Sequence, residues 1–235
     1  MGYTAPRLEA WSSTVSLPEC VEVTTGADPV GSVIWLHGLG ADGHDFEPIV
    51  PELQLPRDLP LRFVFPHAPV RPVTINGGMQ MRAWYDIISL DNEGRADADG
   101  VRESTAILEA LIAREIERGV PAGRIVIAGF SMGGAIAINT ALHTSHRLAG
   151  LMALSTYLPI PGDVETSTGS RDVPVFAAHG TFDPMVRHEW GKASADSLAA
   201  AGFAVEWHEY PMQHAVCAEE IQDIRAWLLT VFGRA

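Results

Sequence analysis

The sequence predicts an α/β protein: a mostly parallel sheet with helices on both faces. Three observations carry the prediction. Strand-like and helical patterns alternate along the 235 residues, as crossover connections between parallel strands require. Several strand-like runs are apolar at nearly every position, which fits strands covered on both faces. Glycine and proline mark where helical patterns stop.

The elements follow in order. "STVSL" and "CVEVTT" read as an opening hairpin, joined by the turn "GADPVG" to a strand at "VIWL" (33–36). Further strands are expected at "LRFVF" (61–65), "RIVIAG" (124–129), "LAGLMALS" (148–155), "VPVFAAHG" (173–180) and "FAVEWHEY" (203–210). Helices are expected over about 99–118, 132–145, 187–201 and 217–231. In the first, Val101, Leu108, Leu111, Ile112 and Glu115 fall at helical spacing, and Gly119 then Pro121 end it. "DADG" (97–100) reads as its cap, since the rest of an EF-hand is missing. Pro66 to about Asp97 shows no regular pattern, and a loop of that length is usually functional. The interval 156–172 is short and polar, too much so for a mobile amphipathic lid. Residues 1–15 read as an N-terminal extension and 16–235 as a single domain with no large cap.

Composition limits the function. Sixteen basic residues against 29 acidic ones give a net charge of −13, a surface that repels phosphate backbones and anionic headgroups, so no nucleic acid partner is expected. Cys20 and Cys217, at opposite ends of the chain, fit reduced thiols better than a disulfide scaffold. The first residues contain no apolar core of signal-peptide length, and no run reaches the length of a membrane span. A cytoplasmic location is expected. No cofactor is called for, and no metal either: HExxH is absent, and His143-x-x-His146 has no supporting ligands.

The chemistry centres on Gly129-Phe130-Ser131-Met132-Gly133, which fits G-x-S-x-G. In that motif a serine stands on a strained strand-to-helix turn with its hydroxyl exposed above the sheet. So short a pattern arises by chance, but here it lies between an apolar run and a helical one, the context it needs. A serine is a weak nucleophile at neutral pH; it needs a base, and the base needs an orienting acid. With this motif they follow in the order serine, acid, histidine. Of the histidines, only His208 and His214 come late enough to follow a last strand, and His214 lies just past it, in a loop before the final helix. Eight carboxylates lie between Ser131 and His214. Asp172 precedes its strand, Glu206 and Glu209 sit within one, and Glu189 and Asp196 lie on a helix. Asp183, in "HGTFDPMV", directly follows a strand on the same sheet edge as Ser131, and is the expected acid. For an oxyanion, Met132 supplies one backbone N–H, and Leu39, in the loop "HGLG", is the candidate for the other. His37 is expected to brace that loop. Ile75, Met79 and Trp84 in the long loop, together with Met185, are the expected substrate-binding residues.

"HGLGADGHDF", "GFSMGG", "HGTFDPMV" and "YPMQHAVC", in this order and spacing, resemble the bacterial carboxylesterases related to acyl-protein thioesterases, of the α/β-hydrolase fold. The resemblance runs from about residue 20 to the C-terminus. It implies Ser131, Asp183 and His214 as the triad and Leu39 and Met132 at the oxyanion hole. One departure stands out: relatives usually carry Gln where this chain has Met132. The expected activity is hydrolysis of short- to medium-chain acyl esters through an acyl-enzyme on Ser131. Acyl-protein thioesterase and lysophospholipase activities use the same triad and are the alternatives; a binding module without turnover is disfavoured because no triad member is missing. The expected partner is thus a small acyl ester or thioester, and a homodimer is left open because the family often forms one.

Overall fold

The computed structural model describes residues 16–88 and 97–233. Residues 1–15, read as an extension, and 89–96, part of the long loop, lie outside the described residues. The strands are β1 (Cys20–Thr24), β2 (Gly31–Leu36), β3 (Leu61–Pro66), β4 (Val70–Val73), β5 (Met79–Arg82), β6 (Ile125–Phe130), β7 (Gly150–Leu154), β8 (Pro174–Gly180) and β9 (Ala204–Tyr210). The helices are α1 (Ile49–Glu52), α2 (Ala98–Glu117), α3 (Met132–His143), α4 (His188–Ala200) and α5 (Ala218–Gly233).

Seven of these strands form one sheet in the order β1-β3-β2-β6-β7-β8-β9. All neighbours run parallel except β1, which is antiparallel to β3. The expected opening hairpin is corrected in its second strand, where Val21 and Val23 pair with Phe65 and Phe63 of β3; residues 13–15 of "STVSL" lie outside the described residues, and Leu17 is in no strand. A short strand of alternating pattern finds a sheet edge as readily as a sequence neighbour, and only the assembled sheet offers that edge. The long loop is corrected too, since β4 and β5 form a small antiparallel hairpin within it. Their sequences, VRPV and MQMR, are short and mixed in polarity, so neither carries a strand period.

The sheet separates two apolar clusters. α2, α3 and α4 contribute Leu108, Leu111, Ile136 and Leu198 to one. α1 and α5 contribute Ile49, Val50, Ile224 and Leu228 to the other. The buried stripe of α2 contains the five residues expected from spacing. Glu115 lies in that stripe because Ser32 Oγ donates to it at 2.6 Å and Arg62 at 2.8 Å. Asp97 caps the helix by accepting from the Gly100 amide. After β7, the interval to β8 holds one short 3-10 turn, Pro161–Val164, and no lid helix. No described helix is long and apolar enough to cross a membrane. β3 lies on one side of β2 and β6 on the other, so the chain reverses direction across the sheet between β2 and β6. Clefts form outside the carboxyl ends of the strands at such a point.

Candidate active site

β6 ends at this reversal and Ser131 follows with φ 54° and ψ −120°. Such backbone is costly for a residue with a side chain, and it persists only when its surroundings hold it. They do. The Ser131 amide donates to Leu154 O at 2.9 Å, and its carbonyl accepts from Thr156 Oγ1 at 2.6 Å. The flanking glycines are required by contact: a Cβ on Gly133 would stand 2.4 Å from Leu36 O, and one on Gly129 would stand 2.3 Å from the Gly133 backbone. α3 is pressed directly against β2 and β6.

The carboxyl ends of β8 and β9 bring two more side chains to the same edge. Asp183 Oδ1 accepts from the amides of Met185 and Val186 at 2.8 and 2.9 Å, and its Oδ2 lies 2.6 Å from His214 Nδ1. A carboxylate partner assigns the proton to Nδ1 and leaves Nε2 to accept. The imidazole rests 4.6 Å from the ring of Phe130, the residue before Ser131. Ser131 and His214 both line one cavity of about 1150 Å³. His179, which sequence reasoning passed over, stands 3.5 Å from Asp183 Oδ2 and donates from Nε2 to Val186 O at 2.9 Å. Burial pushes its pKa down. It braces the Asp183 loop, a contact that depends on β8 and the loop folding back together, so no sequence spacing announces it.

The loop after β2 forms the facing wall. Leu39 and Met132 both line the cavity, and Met132 opens α3, so its amide is among those without an intrahelical acceptor. A Cβ on Gly38 would lie 3.5 Å from the Ser131 Cβ, which places this loop directly over the serine. His37 braces it: Nδ1 donates to Gly38 O at 2.7 Å, Nε2 accepts from the Ala68 amide at 3.0 Å, and its carbonyl accepts from Trp84 Nε1 at 2.9 Å. Burial lowers the His37 pKa to about 4, so the ring is neutral near pH 7, the form those two bonds need.

Of the expected substrate-binding residues, Ile75 and Met185 line the cavity. Trp84 and Met79 do not. Trp84 is fully buried in the core, where its indole holds the His37 loop, and Met79 is exposed on the β4–β5 hairpin. The hairpin accounts for both corrections, because it turns Met79 away and tucks the chain after Arg82 inward. Tyr85, Ile87, Tyr157 and Trp190 line the cavity instead. Tyr157 and Trp190 belong to segments distant in sequence from the serine, and only the fold makes them neighbours. Among the described residues, no group of three or more His, Cys, Asp or Glu is placed to hold a metal ion.

A strained serine at the carboxyl end of an inner strand, in a cleft with a histidine–carboxylate pair, defines the site of the α/β-hydrolase class. The phospholipase/carboxylesterase family model matches residues 18–232, and the chain belongs to that family. Acyl-protein thioesterase 1 of Yarrowia lipolytica is 41% identical over 215 residues, covering 88% of this chain and 95% of the relative. The crystal structure of Arabidopsis thaliana SOBER1 matches with a TM-score of 0.81 at 30% identity, covering 86% of this chain and 98% of that one. That of Zea mays acyl-protein thioesterase 2 matches at 0.80 and 27% identity, covering 92% and 100%. The chain is accordingly an ester or thioester hydrolase.

Proposed function

We propose that the chain is a serine carboxylesterase acting on short- to medium-chain acyl esters, with Ser131 as nucleophile. The observation that carries this reading is the 2.6 Å contact of His214 Nδ1 with Asp183 Oδ2 at the cavity that Ser131 lines. His214 Nε2 takes the Ser131 proton as Oγ attacks the acyl carbonyl, then gives it to the departing alkoxide or thiolate. Asp183 keeps the imidazole in the required tautomer and stabilises the imidazolium. The amides of Leu39 and Met132 receive the oxyanion. Water activated by His214 then attacks the acyl-enzyme and releases the acid.

Ile75, Ile87 and Leu39 wall an apolar groove beside the serine. Each CH₂ buried there contributes about 0.8 kcal/mol, so kcat/KM rises over the first several carbons and levels once the groove is full. With no lid helix between β7 and β8, soluble monomeric esters saturate the enzyme hyperbolically. Rate measured against ester concentration through the solubility limit tests this; a jump in rate only when emulsion forms would mark an interfacial lipase instead.

The names of the relatives favour a second reading, deacylation of thioester-linked acyl groups on proteins. Fluorophosphonate labelling of Ser131, followed by a matched panel of esters and thioesters of increasing acyl length, separates the two. Absence of labelling would remove both.

A further inference from the structure

Two tyrosines in the cavity wall do something an apolar acyl groove does not need. Tyr85 and Tyr157 both line the cavity, and their hydroxyls meet at 2.6 Å. Their place follows from their chain neighbours. The Trp84 amide, one residue before Tyr85, donates to Met132 Sδ at 3.2 Å. The Thr156 hydroxyl, one residue before Tyr157, donates to the Ser131 carbonyl at 2.6 Å. The pair is therefore tethered on both sides to the Ser131–Met132 step.

It also stands on one side of that step. Tyr85, Met132 and Leu158 belong to the apolar cluster under α2, α3 and α4, with Leu39, Ile75 and Ile87 packed against it. Phe130, which carries the His214 imidazole, belongs to the opposite cluster. The general acid must stand beside the leaving group, so the leaving group occupies the His214 side. The acyl chain then runs along the tyrosine side.

The hydrogen count leaves one donor over. Burial raises the pKa of both phenols, so each carries its proton at neutral pH. Two hydroxyls facing each other use one of their two hydrogens. Either hydroxyl can donate to the other; because Tyr85 is 1% exposed and Tyr157 only partly buried, the arrangement that satisfies the buried O–H has Tyr85 donating, which leaves the Tyr157 O–H as the one over. The pair also retains lone pairs that can accept.

We propose that Tyr85 and Tyr157 form a polar subsite for an oxygen on the acyl chain close to its carbonyl, so that hydroxyacyl esters are preferred over their plain alkyl counterparts. This rests on the esterase reading above. A substrate hydroxyl accepts from Tyr157, whereas an alkyl chain leaves the Tyr157 O–H facing hydrocarbon.

The test compares ethyl 3-hydroxybutyrate with ethyl butyrate, both soluble, each kcat/KM being divided by the rate of hydroxide hydrolysis of the same ester. One hydrogen bond made only with the hydroxy ester predicts a ratio of about tenfold in the wild type. Tyr157→Phe and the double variant Tyr85→Phe/Tyr157→Phe should bring the ratio near one. The double variant removes both hydroxyls, so neither is left buried without a partner, and circular dichroism melting checks its fold. A merely structural role would change both esters alike and leave the ratio untouched. A wild-type ratio near one, or a ratio that survives in the folded double variant, overturns the subsite while the esterase reading stands. Cleavage of neither ester by the wild type overturns the esterase reading, and the subsite with it.

Discussion

The loop after β8 and the first turn of α5 each bury a carboxylate, and they treat it in opposite ways. The Asp183 side chain collects three donors: the amides of Met185 and Val186 and the imidazole of His214. Glu220, 0% exposed, sits three residues after Cys217 at the capping-box position, where the Cys217 amide faces it without closing a well-formed hydrogen bond, and neither of its oxygens has another donor among the described residues. Burial pushes its pKa up to about 8 against the opposing pull of the Cys217 amide, and nearby Asp223 adds to the rise. Burial by itself thus does not say whether an acid works as a charge. The donors arranged around it do.

The sharpest way to break the comparison is to remove what Asp183 serves. In the proposed mechanism nucleophile and base act as a unit, so Ser131→Ala and His214→Ala should each lower kcat by roughly 10⁴- to 10⁶-fold. Steady-state hydrolysis of a soluble ester reads this, and a Ser131→Ala protein with a tenth of wild-type activity would displace the nucleophile. Asp183→Asn keeps the shape of the acid but loses its charge and presents an amide to His214. It should cost up to about 10⁴ in kcat and leave the protein folded. Activity within tenfold of wild type would mean that Asp183 does not hold the tautomer.

Glu220→Gln is the converse experiment, and its effect belongs to stability. Below the ordinary carboxylate range, folded and unfolded chains both hold the proton. As pH rises, the unfolded chain releases it first while the folded chain retains it until about 8, so this group's contribution falls across that window and is flat above it. Glutamine has no proton to release. The stability of Glu220→Gln relative to wild type should therefore grow between pH 5 and pH 9, by on the order of 3 kcal/mol. Urea unfolding at the two pH values measures it, and a difference that does not change with pH would remove the buried neutral acid.

The smallest expected effect sharpens the role of backbone donors. Met132 Sδ accepts the Trp84 amide at 3.2 Å, and a glutamine carbonyl can accept the same N–H. Met132→Gln should hold kcat within roughly tenfold, well short of the 10²- to 10³-fold cost of losing an oxyanion donor. A larger loss in the folded variant would assign the side chain a part in the chemistry.

These outcomes bear on how much was legible beforehand. The inner strands and the four long helices follow from runs of apolar residues and from the spacing of residues such as Val101, Leu108 and Ile112, which are local properties. The positions of Ser131, Asp183 and His214 were also legible, because each lies just after the carboxyl end of a strand and a parallel sheet gathers those ends on one edge. Trp84 shows the limit. An aromatic in a loop beside the site looked like a wall of the groove, but the β4–β5 hairpin turns it into the core and gives the cavity Tyr85 instead.

The amino-acid order therefore determined the α/β class and the sheet edge to which Ser131, Asp183 and His214 come. Both rest on periodicity and on residues within a few positions of a strand end. The tertiary structure alone decided that β1 joins β3, that Tyr157 meets Tyr85, and that Asp183 is fully hydrogen-bonded while Glu220 is not. Each is a contact between segments far apart in sequence, and its partners are brought together only when the sheet and its helices close on one another.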